Sequence, residues 1–207
     1  RVLFRSQGAG RPAHGFARTA RWRLADGALQ EDGATWVRLE LEPGEPAPDG
    51  WPGACRLALE VTVGPSLTLA LTTRNPGPEA VTLTQGLHTY LRVGDVTRAA
   101  VHGLDGLPYL DKVDAGAEKV QEGPVTVAGE VDRVYTGVEG HLVLEDPALE
   151  RSVRIASGGS ASAVVWNPWA ETARAMADLG DDDYREMLCV ETTNAGPDTV
   201  TVAPGGE

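Results

Sequence analysis

Alternation of apolar and polar positions dominates this chain. Leu57, Leu59, Val61 and Val63 share one face of a period-two run, Gly64-Pro65-Ser66 supplies a turn, and Leu67, Leu69 and Leu71 resume the period. That pattern predicts a β-hairpin. After the Asn75-Pro76-Gly77-Pro78 break, "VTLTQGLHTYLRV" (81–93) reads as one strand. Val81, Leu83, Leu87, Leu91 and Val93 lie on one side of it, and Thr82, Thr84, His88, Tyr90 and Arg92 on the other. Further short strands are predicted around 35–42, 97–103, 124–128, 142–145, 151–156, 162–166 and 198–203. One helix is predicted, Glu171 to Leu179, closed by Gly180 and followed by a turn at Asp181 to Tyr184. "MLCVETT" then returns to strand, with Leu188 and Val190 on one face and Met187, Cys189 and Glu191 on the other. Many short strands with Gly/Pro turns place the chain in the all-β class, as a sandwich or barrel. No element is predicted before His14. Both ends read as incomplete, since the opening lacks an initiator Met and "TVTVAPGGE" stops where a last strand is expected.

Composition narrows the picture. With 207 residues, 42% hydrophobic and 23% charged, the chain is long enough for one sizeable core, so a single domain over 1–207 is expected. A formal net charge of −12 argues against nucleic acid, whose phosphates are bound by dense Lys/Arg footprints. Cys55 and Cys189 form no CxxC and no disulfide framework, which suits a reducing, cytoplasmic setting. No long apolar run or signal-peptide core occurs, so no membrane association is expected.

Two residues stand out chemically. His88 sits among Thr and Tyr on a polar strand face, where an imidazole either reaches a ligand or serves as a hydrogen-bonded structural group. Glu191 interrupts an apolar strand, which is costly unless the carboxylate is hydrated at an edge, paired or used. Together they could form an acid/base pair. "DLGDDDY" lacks the ligand spacing of an EF-hand loop and reads as a solvated helix start. No HExxH, GxSxG, P-loop or dinucleotide fingerprint is present. From the residues alone, this is an acidic all-β domain with a candidate His/Glu site.

Five segments, taken in order, carry a resemblance: "PAHGFAR" (12–18), "LHTYLRVGDV" (87–96), "GLDGLPYLDK" (103–112), "VDRVY" (131–135) and "WNPWAETARAMADLGDDDYREMLCVE" (166–191). Their order and spacing resemble the glucose-6-phosphate 1-epimerases, or hexose-6-phosphate mutarotases, of the aldose 1-epimerase superfamily. The resemblance implies a galactose-mutarotase-like β-sandwich (supersandwich) lacking the family's N-terminal strands, with their "RGG…FP" segment and its phosphate-holding arginine, and its last strand. It implies an isomerase that interconverts the α and β anomers of a hexose 6-phosphate by ring opening and closure. His88 would be the general acid and Glu191 the general base. Arg18 would contact substrate and phosphate, Asp132 the sugar hydroxyls, and His14 would line the pocket, with Asp178 and Trp169 nearby. The implied partner is a small-molecule sugar phosphate, with no metal or other cofactor and no nucleic acid, acting on a cytoplasmic monomer. An epimerase of unphosphorylated aldoses and a non-catalytic carbohydrate-binding sandwich remain as alternatives.

Overall fold

The computed structural model describes residues 1–6, 14–44, 51–52 and 54–207. Its strands are β1 (Val2–Ser6), β2 (Arg23–Leu29), β3 (Thr35–Leu41), β4 (Arg56–Val63), β5 (Leu67–Arg74), β6 (Val81–Leu87), β7 (Tyr90–Arg92), β8 (Ala100–His102) and β9 (Pro108–Asp111). These are followed by β10 (Ala117–Val120), β11 (Val125–Thr126), β12 (Val131–Thr136), β13 (His141–Asp146), β14 (Arg151–Ala156) and β15 (Ser162–Asn167). Helix α1 (Trp169–Ala175), a 3₁₀ turn at Asp183–Glu186, β16 (Met187–Asn194) and β17 (Val200–Val202) complete the chain. The class is all-β. Contacts divide the molecule into two compact units, Val2–Gln85 with Thr199–Glu207, and Arg1 with Gly86–Asp198.

The first unit contains an antiparallel meander, β2–β3–β4–β5. Val63 pairs with Leu67 at its last turn, and the Gly64 N–H donates to the Ser66 carbonyl at 3.0 Å, giving the hairpin its alternation predicts. Leu24, Leu29, Val63 and Leu67 remain exposed on this meander. Contrary to expectation, the opening residues do form an element: Val2 and Phe4 are buried, and the Phe4 ring meets Trp51 at 5.6 Å. Asn75, fully buried, ties the unit's end to its middle. Its amide donates to the Glu79 carbonyl at 2.7 Å and the Val202 carbonyl at 3.0 Å, and accepts from the Gly77 N–H at 3.0 Å.

The second unit is built from two sheets. One runs β16–β15–β12–β9–β10 with β7 paired to β16, and the other runs β11–β8–β13–β14. Period-two alternation sends Tyr109, Val131, Tyr135, Ala163, Val165, Leu188 and Val190 from the first sheet into a core shared with Val101, Val125, Leu142 and Leu144 of the second. The opposite face of the first sheet therefore carries Asp132, Val134, Val164, Trp166, Cys189 and Glu191. That face holds the candidate chemistry.

Two expectations are corrected here. The run 81–93 is not one strand, because it breaks at His88 and Thr89, between β6 and β7. Gly86 marks the approach to that break, since a Cβ there would lie 2.8 Å from the Thr193 methyl. The helix begins at Trp169 and ends at Ala175, with Met176 already extended, so Gly180 does not cap it. Instead the Gly180 N–H donates to the Asp183 carboxylate at 2.9 Å, at the entry to the 3₁₀ turn.

Candidate active site

Strand β16 positions the acidic member of the site. Leu188 and Val190 point to the core, so the intervening Cys189 and Glu191 project from the other face, yet both are almost fully buried. Glu191 Oε1 lies 3.3 Å from His88 Nε2, with side-chain exposures of 4% and 10%. The structure thus brings together two residues 103 positions apart (191 − 88) in direct contact.

His88 stands outside the strand ladder, in the break between β6 and β7, where its backbone N–H donates to the Arg1 carbonyl at 2.8 Å. Two aromatic rings enclose its imidazole. Tyr90 stacks on it at 4.7 Å and 11°, while Trp166 stands nearly perpendicular at 5.8 Å and 80°. Tyr90 and Trp166 also meet each other, at 6.2 Å and 84°. Their placement follows from register, because Asp132 pairs with Trp166, Trp166 with Cys189, and Cys189 with Tyr90 across four neighbouring strands. The adjacent row is Val134, Val164 and Glu191.

Burial dominates the electrostatics. Desolvation, reinforced by the charge of Asp132, pushes the Glu191 carboxyl up to about 8. Burial also raises Asp132, with Glu130 adding to the effect and Lys112 opposing it. The Cys189 thiol is pushed far up, chiefly by burial and then by Glu191, so it is not a thiolate nucleophile. At 3.3 Å the two groups are close enough for a proton to pass between them. Such a pair can hand a proton to one oxygen while taking one from another. Among the described residues, no three His, Cys, Asp or Glu side chains converge as a metal-ligand cluster. No helix of the described residues is long and apolar enough to cross a membrane.

The remaining residues singled out in the sequence fall into distinct places. Asp178 accepts a hydrogen bond from the Arg1 guanidinium at 2.8 Å, and that guanidinium lies 5.4 Å from the centre of the Tyr90 ring. Trp169 packs against Tyr184 at 5.2 Å and against the core. Its φ of 56° is a left-handed conformation uncommon for a bulky residue. Asn167 holds that turn: fully buried, it donates to the Tyr184 and Met187 carbonyls, each at 2.8 Å, and accepts from the Trp169 N–H at 2.9 Å. His14 and Arg18 belong to the other unit. There His14 precedes Gly15 and Arg18 lies exposed in a turn closed by the Ala20 N–H on the Phe16 carbonyl at 3.0 Å. Pro12 and Ala13 of the same motif lie outside the described residues. Tyr90, Trp166 and Cys189 all lie inside the quoted motifs, but the sequence gives none of them a chemical role.

With this geometry established, comparison is informative. Residues 2–207 match the family model described as aldose 1-epimerase. The chain belongs to that family. It is 35% identical over 203 residues to a Cenchrus ciliaris protein named "Putative glucose-6-phosphate 1-epimerase", covering 94% of this chain and 61% of the relative. Among solved structures, it superposes with TM-score 0.87 and 29% identity on a "putative mutarotase" from Salmonella typhimurium, covering 97% of this chain and 66% of that one. A galactose mutarotase-like protein from Clostridium acetobutylicum, at 14% identity, shares the fold with TM-score 0.73 over 99% of this chain and 75% of that one. The all-β, galactose-mutarotase-like sandwich class follows from these matches. The chain spans about three fifths of the length of the curated relative it matches.

Proposed function

We propose that this family member interconverts the α and β anomers of a hexose 6-phosphate, with Glu191 as general base and His88 as general acid. The observation that carries the reading is the buried contact between His88 Nε2 and Glu191 Oε1. In the reactive arrangement, Glu191 removes the proton of the C1 hydroxyl while the His88 imidazolium protonates the ring oxygen, and the C1–O bond to the ring opens. Rotation about C1–C2 turns the other aldehyde face toward the hydroxyl. Reclosure reverses both transfers, so acid and base regain their starting protons. Proton transfers of this kind contribute roughly a hundredfold to ten-thousandfold each. Since the two groups touch, the sugar would lie alongside the pair and not between its members.

A base raised to about 8 is better matched to a weakly acidic hydroxyl than an ordinary carboxylate. Asp132 is assigned the sugar hydroxyls. His14 and Arg18 keep the binding roles that the family resemblance implies. A second reading, an epimerase of unphosphorylated aldoses, is favoured by the local charge: Asp132 and Glu191 already repel one another, and a phosphate dianion would add to the negative charge. The deciding measurement is NMR exchange between anomers of glucose 6-phosphate and of glucose. Faster exchange for the phosphorylated sugar supports the first reading, faster exchange for the free sugar the second, and absence of both a non-catalytic sandwich. Arg18→Ala is expected to weaken the phosphorylated sugar about tenfold or more over the free one, as loss of a charge-assisted contact would. Equal weakening would remove Arg18 from the phosphate.

A further inference from the structure

We infer that Tyr90 is a positioning residue, whose ring holds the His88 imidazole in the plane from which it exchanges protons with Glu191. This inference rests on the reading of His88 as the acid. The side chain of a residue in a strand break is not directed by the pleat, so the angle of the imidazole must be fixed by what packs on it. Tyr90 supplies a nearly parallel face at 4.7 Å, and Trp166 supplies a nearly perpendicular ring at 5.8 Å. Rotation of the imidazole about its own axis would drive it into one or the other.

The two rings are themselves tied to the base. Tyr90 on β7 and Trp166 on β15 are both register partners of Cys189, which lies two residues before Glu191 on β16. Strand β16 therefore delivers Glu191 directly, and through its neighbours it sets the orientation of His88. An error in the acid's plane would lengthen the 3.3 Å contact, and small misplacements of reacting groups are expensive in rate. The tyrosine hydroxyl has no part in this role; the aromatic face does.

The test compares Tyr90→Phe with Tyr90→Leu in the full chain. Anomer exchange gives kcat and KM, and ¹H–¹³C spectra follow the His88 ring protons, whose resonances a stacked ring displaces upfield. Tyr90→Leu is expected to lower kcat by roughly ten- to a hundredfold with little change in KM, and to abolish the upfield displacement. Tyr90→Phe is expected to keep both. If Tyr90→Leu retains kcat or the displacement, or if Tyr90→Phe loses as much kcat as Tyr90→Leu, the proposal fails. Should Tyr90→Leu not fold, Tyr90→Phe decides alone: retained kcat and displacement support the role of the ring, and their loss overturns it. If the wild-type chain exchanges no anomers, the functional reading fails by itself. The ring displacement in Tyr90→Phe and Tyr90→Leu still decides whether Tyr90 orients His88.

Discussion

Among the described residues, two contacts between a His Nε2 and a Glu carboxylate lie in the same compact unit, and they differ in burial. His102 Nε2 and Glu145 Oε2 lie 3.0 Å apart on the β11–β8–β13–β14 sheet with exposures of 46% and 53%. His88 and Glu191 lie farther apart, at 3.3 Å, but are nearly fully buried. The closer pair is an ordinary surface contact, of a kind worth roughly 0–1 kcal/mol. The looser pair contains a carboxyl raised to about 8. Removal from water, not distance, is what separates the two pairs electrostatically.

The contrast can be broken by substitution. Glu191→Gln is expected to reduce anomer exchange by about a hundredfold or more while sugar binding persists, because the amide has nearly the same shape but cannot accept the proton. Glu145→Gln should leave exchange unchanged. Equal effects from both substitutions, read by NMR exchange, would dissolve the distinction.

A pH profile sharpens it further. A base with its carboxyl at about 8 is mostly protonated at pH 7, so the low-pH limb of exchange, which reports deprotonation of Glu191, should be displaced far above the ordinary carboxylate range. Asp132→Asn removes a neighbouring charge that favours the protonated form, so the acid limb should move to lower pH. A limb that stays in place would mean that Asp132 does not act on Glu191.

The smallest effect concerns stability. Glu191 has its folded-state value raised from 4.5 to about 8. Between those values the folded protein retains a proton that the unfolded chain has released, so stability falls as pH rises through this window and levels off above it. Glu191→Gln cannot titrate and lacks this slope. Its melting temperature should therefore gain on the wild type from pH 5 to pH 9, and Glu145→Gln should show no such divergence. Parallel curves for Glu191→Gln would indicate that the carboxyl is not raised.

Much of this was legible in the sequence, for identifiable reasons. Strand β14 falls on the predicted 151–156, and β3, β13 and β15 fall close to their predicted ranges, because β13 and β14 alternate in burial, β3 alternates Val37, Leu39 and Leu41 with Arg38 and Glu40, and β15 carries a short apolar run. Strand β12 carries the "VDRVY" motif, and its adjacent Asp132 and Arg133 obscure the period-two pattern in the sequence. In the fold, Arg133 donates to Gln121 at 3.0 Å and lies over the Tyr109 ring, so its charge is accommodated on the inner side. The break at His88 left no trace either, because period-two alternation continues through it and cannot signal that a backbone leaves the ladder. His88 and Glu191 could be named as candidates from residue type, but their contact is a property of tertiary structure. Tyr90 and Trp166 were missed for the same reason.

The buried amide of Asn167 also governs how this protein ages. Conversion to aspartate would replace two donated hydrogen bonds with a carboxylate facing the Tyr184 and Met187 carbonyls. The usual route to that lesion is attack by the next residue's backbone nitrogen to form a cyclic imide, and Pro168, lacking an N–H, closes it. Asn75, the equivalent hub of the other unit, is followed by Pro76 and is protected in the same way. Of the chain's three asparagines only Asn194, followed by Ala195, leaves this route chemically open. On prolonged warm storage, imide-derived deamidation should therefore accumulate in the Asn194 peptide and spare the two residues on which the turns depend.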